Sequence, residues 1–359
     1  MSISSSCVPS RRLRITRSSG ADVPLPGRHH RARRPIACGP DVRWSPHRDR
    51  RGDPRRRGEA LLLVSPTAGR GRARRLGPRT AAALRREGFE LSVVRTGSLR
   101  EATEQARAAA PGSVVAALGG DGFLGAVAAG VQESGAILLP LAGGRGNDTV
   151  RRLGLPLDPV RAVRALARYA SADIDLGHVN GRPFLGVAHV GFDALANEYG
   201  NAARLRLGPF VYLYGGLRAL WAWRSVTFTL SVDGQERIFP GWFIAVGNTG
   251  QYGGGLRICP GATVDDGFLD VVSLGRSSIL TVAATFLRSY RGRHIGTPGV
   301  ATARGTSVTI TADKPLNVYA DGELVGSLPA AVTVMPRALK VLMPAGSPSL
   351  GHPHPISGL

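Results

Sequence analysis

The sequence predicts a doubly wound α/β domain followed by a mainly antiparallel β-sandwich domain. Over residues 59–172, short and almost wholly apolar strand segments alternate with helical segments, which is typical of a parallel sheet covered by helices. From residue 173 to 345, short alternating strands and glycine turns replace this pattern, which favours an antiparallel sandwich. A chain of 359 residues is long enough for two such domains.

The elements of the first domain follow in a regular order. Strands are predicted at 61–65, 89–96, 113–118 and 136–142. Helices are predicted from the first glycine turn through Arg86, at 100–110, at 123–133, from 148 and at 158–170. In the third of these helices, apolar residues recur at helical spacing, which indicates one face packed on the sheet.

Positive charge is concentrated at the N-terminus. The net charge is +21, and residues 1–58 alone hold 15 Arg and 4 Asp with little apolar pattern, which predicts a disordered, Arg-rich extension. Residues 346–359 are predicted to be a tail. The remaining basic charge suits a nucleotide or a membrane surface. No nucleic-acid partner is expected, because a basic patch interleaved with aromatic residues is absent.

The three cysteines, Cys7, Cys38 and Cys259, are odd in number and far apart. This spacing argues against a disulfide framework and a cysteine-based zinc site, and it fits a reducing cytoplasm. The sequence has no run of 18 apolar residues and no apolar region typical of a secretory signal. We therefore expect a cytoplasmic protein without a transmembrane helix.

Three glycine turns follow strands of the first domain: SPTAGRG (65–71), GGDG (119–122) and AGGRGND (142–148). Glycines let backbone N–H groups approach phosphate oxygens, and a following helix adds its partial positive charge. Turns at the carboxyl ends of neighbouring parallel strands converge where ligands bind in this fold class. The turns match neither a Walker A motif nor a dinucleotide-binding fingerprint.

Asp121 places an acidic group among these candidate phosphate-binding amides. Such a group is unfavourable there unless a cation lies between, so Asp121 indicates Mg²⁺ or a proton acceptor near a transferred phosphate. The alternative is structural: an Asx-type turn or a helix cap.

The combined motifs resemble the diacylglycerol kinase catalytic family, which includes bacterial lipid kinases and sphingosine and ceramide kinases, and is related more distantly to NAD kinases. In the second domain, VNGRPFLGVAHVGFDA (179–194), GNTGQYGGGLRICPGATVDDGFLDVV (247–272) and YADGELVGSLP (319–329) are similar to family signatures. The resemblance covers residues 61–345, and the long GGG…DDG run with the later DGE is its most specific part.

The resemblance implies an ATP-dependent lipid kinase that phosphorylates a lipid hydroxyl, diacylglycerol to phosphatidic acid being the leading example, in a cleft between the domains. The implied catalytic residues are Glu323, Asp321 and Asp121, and Thr263, Asp266 and Phe268 are implied to hold a structural metal, with Mg²⁺ as the cation. The implied nucleotide contacts are Ser65, Pro66, Thr67, Ala68, Gly69, Thr96, Gly119, Gly120, Asp121, Gly122, Phe123, Leu124, Gly125, Ala126, Arg145, Gly146, Asn147 and Asp148. The implied partners are a lipid substrate, a membrane touched peripherally and, as an option, a second copy of the chain in a homodimer.

Four positions depart from the family pattern. Ser65 stands for Asn, Phe123 for Thr, Ala126 for Glu and Arg145 for Thr, and Arg145 is a candidate for pairing with phosphate oxygens. These departures leave open a catalytically inactive nucleotide- or lipid-binding homologue, and the motifs alone leave open a NAD kinase relative.

Structural alternatives also stay open at individual motifs. Asp321-Gly322 suits a type I′ hairpin turn, Asp265-Asp266-Gly267 a simple turn, and Asn147-Asp148 a helix cap. A helical insertion at 210–224, with Tyr212, Tyr214, Trp221 and Trp223, suits either core packing or a lipid entrance at the bilayer interface.

Overall fold

The computed structural model describes residues 57–192, 194 and 226–351. Within these residues the predicted fold class is confirmed: a helix-covered parallel sheet is followed by an antiparallel β-sandwich. The predicted extension up to residue 56, the helical insertion at 210–224 and residues 352–359 lie outside the described residues.

The first domain is built on four parallel strands in the order β2-β1-β3-β4. The strands are β1 (Gly58–Val64), β2 (Phe89–Arg95), β3 (Val114–Gly119) and β4 (Ile137–Ala142). The helices are α1 (Ala68–Arg86), α2 (Leu99–Arg107), α3 (Asp121–Ser134), α4 (Asp148–Arg152) and α5 (Pro159–Arg164). Every residue of β3 and β4 is buried, as expected for central strands covered on both faces.

The predicted helix at 158–170 is wrong in its second half. Helix α5 ends at Arg164, and a 3₁₀ turn at Leu166–Arg168 leads into β5 (Tyr169–Val179). The cause is a tertiary contact: Tyr169 already pairs with Pro344, near the C-terminal end of the fold. Pairing with a strand so distant in sequence leaves no local periodic signal.

Two long strands join the domains. Strand β5 pairs antiparallel with β17 (Ala330–Pro344), and β17 also pairs parallel with β4 at Val341 and Leu138. The β5–β17 register shifts between Met335 and Leu339. The predicted domain boundary after residue 172 therefore falls inside a strand that extends from the first sheet into the second domain.

The second domain is antiparallel throughout its main sheet. Its further strands are β6 (Arg182–Phe184), β7 (Val187–Gly191), β8 (Val226–Val232), β9 (Gln235–Gly247), β12 (Leu269–Gly275), β13 (Val300–Gly305), β14 (Ser307–Ala312), β15 (Asn317–Ala320) and β16 (Glu323–Ser327). A small separate ribbon pairs β10 (Gln251–Tyr252) with β11 (Leu256–Arg257) around the GGG turn. Helix α6 (Ile279–Ser289) follows β12.

Strand β9 separates two apolar cores. Ile244 and Val246 belong to a core that includes Phe228, whereas Phe243 and Ala245 face a second core completed by α6. Alternate side chains of one strand thus pack on opposite faces of the sheet.

Part of the predicted C-terminal tail is packed. Ser347 and Ser349 are buried, and the Ser347 hydroxyl donates to the Leu153 carbonyl oxygen at 3.0 Å. The Val264 N–H of the second domain donates to the Ser349 carbonyl oxygen at 2.9 Å. Residues 346–351 therefore contact both domains.

Candidate active site

The three glycine turns of the first domain lie against one another. The Gly143 N–H donates to the Gly119 carbonyl oxygen at 2.7 Å. A Cβ at Gly69 would lie 2.5 Å from the Gly143 carbonyl oxygen, and a Cβ at Gly144 would lie 2.5 Å from the Cα of Gly120. Only residues without a side chain allow backbones this close. The structure thus gathers the predicted phosphate-binding turns into one surface.

The first turn has an unusual backbone. Gly69, Arg70 and Gly71 have φ values of 59°, 55° and 82°, so three consecutive residues adopt the left-handed region. The Ser65 hydroxyl accepts a hydrogen bond from the Ala68 N–H at 3.3 Å and closes the turn, which includes Pro66 and Thr67. Thr96 is buried at the end of β2, beside this turn, and its N–H donates to the Val64 carbonyl oxygen at 3.3 Å.

The second turn leads into the first turn of α3. Gly120 is the N-cap, so Asp121 and Gly122 are the first helical residues and their amides belong to the positive end of the helix. Leu124 and Gly125 are buried beneath them, and the Ala126 carbonyl oxygen accepts from the Thr103 hydroxyl at 2.8 Å.

Phe123 turns back into the core. Its side chain is 5 % exposed, and its Cδ1 atom lies 2.3 Å from the position that a Cβ atom on Gly119 would occupy. The ring therefore packs under the turn and supplies no polar group to a ligand. It leaves the backbone amides of the turn in place.

Asp121 caps a neighbouring helix. Its Oδ1 atom accepts from the Thr149 N–H at 2.9 Å, at the N-terminus of α4. Asn147, predicted as the cap, has φ 53° and binds Gly144: its Oδ1 accepts from the Gly144 N–H at 2.8 Å and its Nδ2 donates to the Gly144 carbonyl oxygen at 3.1 Å. Asn147 is thus the N-cap residue of α4, as predicted, but the capping hydrogen bond comes from the Asp121 side chain of another turn.

Asp148 connects the third turn to the second domain. Its Oδ2 accepts from the Gly254 N–H at 2.7 Å and its Oδ1 accepts from Gln251 Nε2 at 3.2 Å. Burial, followed by the charge of Asp121, raises the pKa of Asp148 to about 6. This carboxyl group thus holds the GGG turn of the second domain against the first.

Arg145 and Gly146 complete the third turn. The Arg145 side chain is exposed, while Gly146 is buried. A Cβ at Gly146 would lie 2.8 Å from Asp148 Oδ2 and 3.3 Å from Asp121 Oδ2. An exposed arginine therefore lies at the rim of the turns, and two carboxylates lie close to the next residue, Gly146.

The hairpin between β15 and β16 carries Asp321 to the same place. Asp321 and Gly322 have φ values of 51° and 84°, as a type I′ turn requires. Asp321 is partly buried, and its carboxylate accepts from the Leu185 N–H at 2.8 Å and the Gly186 N–H at 2.7 Å. Burial is the largest cause that raises the pKa of Asp321 to about 7, and the charge of Asp121 contributes in the same direction.

Glu323 lies directly on the GGDG turn. A Cβ at Gly122 would lie 2.8 Å from Glu323 Oε1, and a Cβ at Gly125 would lie 2.9 Å from Asp321 Oδ2. Solvent reaches the Glu323 side chain, and partial burial raises its pKa. The structure therefore brings Glu323, Asp321 and Asp121, all predicted as catalytic, to the first turn of α3.

The predicted metal ligands form a separate cluster. Asp266 accepts from the Thr263 hydroxyl and from Arg304 Nη2 at its Oδ2, and from the Phe268 N–H at 3.0 Å at its Oδ1. The Arg304 guanidinium also lies 4.6 Å from the centroid of the Phe268 ring. Both Asp266 oxygens thus have partners within the chain, and the structural metal that the resemblance implies at this turn stays a prediction.

The carboxylates at the glycine turns suit a Mg²⁺ ion that nucleotide phosphates also bind. Within residues 57–192, 194 and 226–351, no group of three or more His, Cys, Asp or Glu side chains is placed to hold a metal ion by itself. Mg²⁺ is commonly held by one or two carboxylates together with substrate phosphates. Asp121, whose Oδ2 faces the third turn, suits that role for a cation that enters with a nucleotide.

Sequence reasoning missed two residues at the domain junction. Asp175, in the middle of β5, accepts from the Gly267 N–H at 2.6 Å and the Arg337 N–H at 2.8 Å. Asn248 Nδ2 donates to the Asp175 and Leu185 carbonyl oxygens at 3.0 and 3.1 Å. The available signal was an aspartate among apolar residues in DIDLG, because a charged group inside a strand needs buried partners.

Two family models match the chain, and known proteins are similar to it over most of its length. The model of the diacylglycerol kinase catalytic domain matches residues 59–179, and that of the YegS C-terminal NAD kinase beta sandwich-like domain matches residues 186–343. A diacylglycerol kinase of Mycobacterium tuberculosis is 34% identical over 299 residues, which cover 80% of this chain and 96% of the relative. A probable YegS-like lipid kinase of Pseudomonas aeruginosa is 37% identical over 291 residues, 77% of this chain and 92% of the relative.

A solved structure agrees on the fold. The putative diacylglycerol kinase from Bacillus anthracis aligns with a TM-score of 0.65 at 21% identity, over 79% of this chain and 96% of that one. The two domains and their matches define a lipid kinase. The chain belongs to the diacylglycerol kinase catalytic-domain family, as its motifs predict.

The Arg304–Asp266 contact leads to a prediction about cation dependence. Burial, and after it the charges of Asp175 and Asp265, raise the pKa of Asp266, and Arg304→Gln removes the arginine that opposes this effect, so we expect a lower Tm and a new stabilisation by Mg²⁺. Thermal unfolding with Mg²⁺ and with EDTA measures both. The control is Arg107→Gln, which breaks an exposed ion pair with Glu133 and is expected to change Tm by about 1–3 °C with no Mg²⁺ response. A wild-type protein that already depends strongly on Mg²⁺ for stability contradicts this account.

The raised pKa of Asp321 leads to a prediction about pH. In the folded protein the Asp321 carboxyl group keeps its proton up to about pH 7, whereas in the unfolded chain it loses that proton near pH 4. The stabilising contribution of Asp321 is therefore largest below about pH 4 and is lost as pH rises to about 7. The Tm advantage of the wild type over Asp321→Asn should therefore shrink over that range. Asp233, in a turn of the same type, is the control: hydrogen bonds lower its pKa, so its advantage over Asp233→Asn should be lost only towards acid pH. A flat Asp321 difference would show that its carboxyl group is not held protonated.

Proposed function

We propose that the chain transfers the γ-phosphoryl group of ATP to the hydroxyl group of diacylglycerol, forming phosphatidic acid. Membership of the lipid kinase family and the printed names of its relatives support the reaction class and this choice of substrate. The observation that carries the proposal is the placement of Glu323, from the second domain, against Gly122 in the helix-terminal glycine turn of the first.

The nucleotide occupies the three gathered glycine turns. Its phosphates face backbone N–H groups and the N-terminus of α3, which are suited to anionic oxygens. Arg145, exposed at the rim of the third turn, pairs with phosphate oxygens through its planar guanidinium. This charge takes over part of what a threonine hydroxyl supplies at that place in the family pattern. Asp121 would hold a Mg²⁺ ion that accompanies the nucleotide, and that cation would supply neutralisation of the phosphate charge.

Glu323 is the general base. Its carboxylate removes the proton from the lipid hydroxyl as the hydroxyl oxygen forms a bond to the γ-phosphorus. The bond from that phosphorus to the β,γ-bridging oxygen breaks, and ADP leaves with the electron pair. Positioning and charge neutralisation account for most of the acceleration in such transfers.

Asp321 is a positioning residue. Both of its oxygens accept backbone hydrogen bonds from Leu185 and Gly186, so they are committed to structure. These bonds fix the hairpin tip, and with it the backbone that carries Glu323. The type I′ turn therefore serves both to close the hairpin and to position the functional residue Glu323.

A lipid substrate also implies peripheral contact with a membrane, on the cytoplasmic side where ATP is made. In residues 57–192, 194 and 226–351, no helix combines the length and apolar character needed to cross a bilayer. Whether the chain acts as a monomer or a homodimer does not alter the proposed chemistry.

Glu323→Gln should lower kcat by about 10²–10⁴-fold with little change in ATP affinity, because only the base is removed. Gly122→Ala should also lower kcat, since its Cβ displaces the Glu323 side chain. The control Glu236→Gln, on the exposed β8–β9 hairpin, should retain full activity. The assay follows transfer of γ-labelled phosphate from ATP to diacylglycerol, monoacylglycerol, a sphingoid base or NAD.

The acceptor panel separates the alternatives. Label on diacylglycerol above the other acceptors supports the proposal, and label on another lipid overturns the substrate. Label on NAD favours the NAD kinase alternative. ATP-dependent thermal stabilisation with no labelled product would identify an inactive nucleotide-binding homologue.

A further inference from the structure

Helix α6 and the loop after it expose apolar side chains in the second domain. We call this region the α6 surface and define it by the apolar residues Ile279, Leu280, Leu287, Tyr290 and Ile295 with the basic residues Arg276, Arg288, Arg291 and Arg293. Leu280 is 81 % exposed, Leu287 72 % and Ile279 54 %. Exposed apolar residues grouped on one element commonly mark an interaction site.

The opposite face of α6 packs in the core of the second domain. Val282 and Thr285 are fully buried, and the Phe286 ring lies 5.3 Å from the Phe243 ring and 5.4 Å from the Phe192 ring. The exposed leucines therefore contribute little to the packing that holds the helix in place. Apolar residues on both faces of a surface helix indicate that the outer face meets a second apolar environment.

The segment that carries the α6 surface has charges of one sign. From residue 271 to residue 312 the sequence contains no Asp or Glu, and it contains five arginines. Arg304 pairs with Asp266, whereas the other four are the basic residues of the α6 surface. An apolar helix face bordered by arginines matches an interface between acyl chains and anionic headgroups.

The α6 surface adjoins the candidate active site. Tyr290, directly after α6, lies 3.9 Å at its Cδ1 from a Cβ built on Gly255, in the GGG turn. The neighbouring Gly254 N–H is the donor to Asp148. The charge of Asp148 also contributes to the raised pKa of Tyr290, after the larger effect of burial.

We propose that the α6 surface docks on an anionic phospholipid bilayer, with Leu280 and Leu287 entering the acyl boundary and the arginines facing lipid phosphates. This assigns a location to the peripheral contact of the proposed function and requires no catalytic step. A second copy of the chain would bring two arginine-rich surfaces together, which electrostatic repulsion disfavours. The chain's own segment 195–225 carries four arginines and one glutamate, so it offers no charge complement either.

The test measures binding to vesicles without ATP. Wild-type protein should bind phosphatidylcholine vesicles that contain about 30% phosphatidylglycerol, and added salt should weaken this binding. Leu280→Asp with Leu287→Asp should reduce binding by about tenfold or more, and Arg291→Gln with Arg293→Gln should reduce it mainly on the anionic vesicles. Ile238→Asp, at a residue that is 65 % exposed on β9, is the control and should bind like wild type.

The results distinguish a bilayer from a second copy of the chain as the partner of the α6 surface. Equal binding of the leucine variant and wild type overturns the proposal, as does equal wild-type binding to pure phosphatidylcholine. A dimeric wild type that becomes monomeric in the leucine variant without loss of vesicle binding assigns the surface to self-association instead. Thermal unfolding checks that each variant folds. Glu323→Gln should bind vesicles like wild type, so failure of docking and failure of the proposed catalysis are distinguishable.

Discussion

The close approach of the β15–β16 hairpin to the first turn of α3 is the contact on which the site depends. It is possible because Gly122 and Gly125 have no side chains at the places that Glu323 and Asp321 occupy. Gly186 likewise leaves room for Asp321, because a Cβ atom on Gly186 would lie 2.5 Å from Asp321 Oδ1. The absence of side chains at Gly122 and Gly125 thus lets carboxylates of one domain lie against the first turn of α3 in the other, and Gly186 leaves room for Asp321 within its own domain.

The domain junction keeps this approach in register. Strand β17 links the parallel strands to the antiparallel ones and pairs with β5, and Asp175 in β5 binds both the DDG turn and the backbone of Arg337. Asp148 adds a second connection through Gly254. Buried carboxylates with raised pKa values therefore serve at the junction as hydrogen-bond acceptors. Their desolvation is tolerated because backbone N–H groups surround them.

Much of the fold could be predicted from local patterns, whereas the partners of individual side chains could not. Apolar strands followed by glycine turns indicate a parallel sheet with a ligand edge, since both signals are local. Asp233-Gly234 and Asp321-Gly322 have nearly identical backbone angles, yet one carboxylate is exposed and the other faces the site. Arg304 as the partner of Asp266, and Asp121 as the cap of α4, likewise depend on contacts between residues 28 or more positions apart.

In the proposed mechanism, one nucleotide phosphate chain lies between the glycine turns and the hairpin. A crystal structure of the full chain with Mg²⁺ and a non-hydrolysable ATP analogue tests it most directly. The account predicts phosphates on the amides of all three turns, with Asp121 near the cation and the Glu323 carboxylate facing the terminal phosphate. Phosphates bound away from these turns, or a Glu323 side chain directed away from the terminal phosphate, would contradict it.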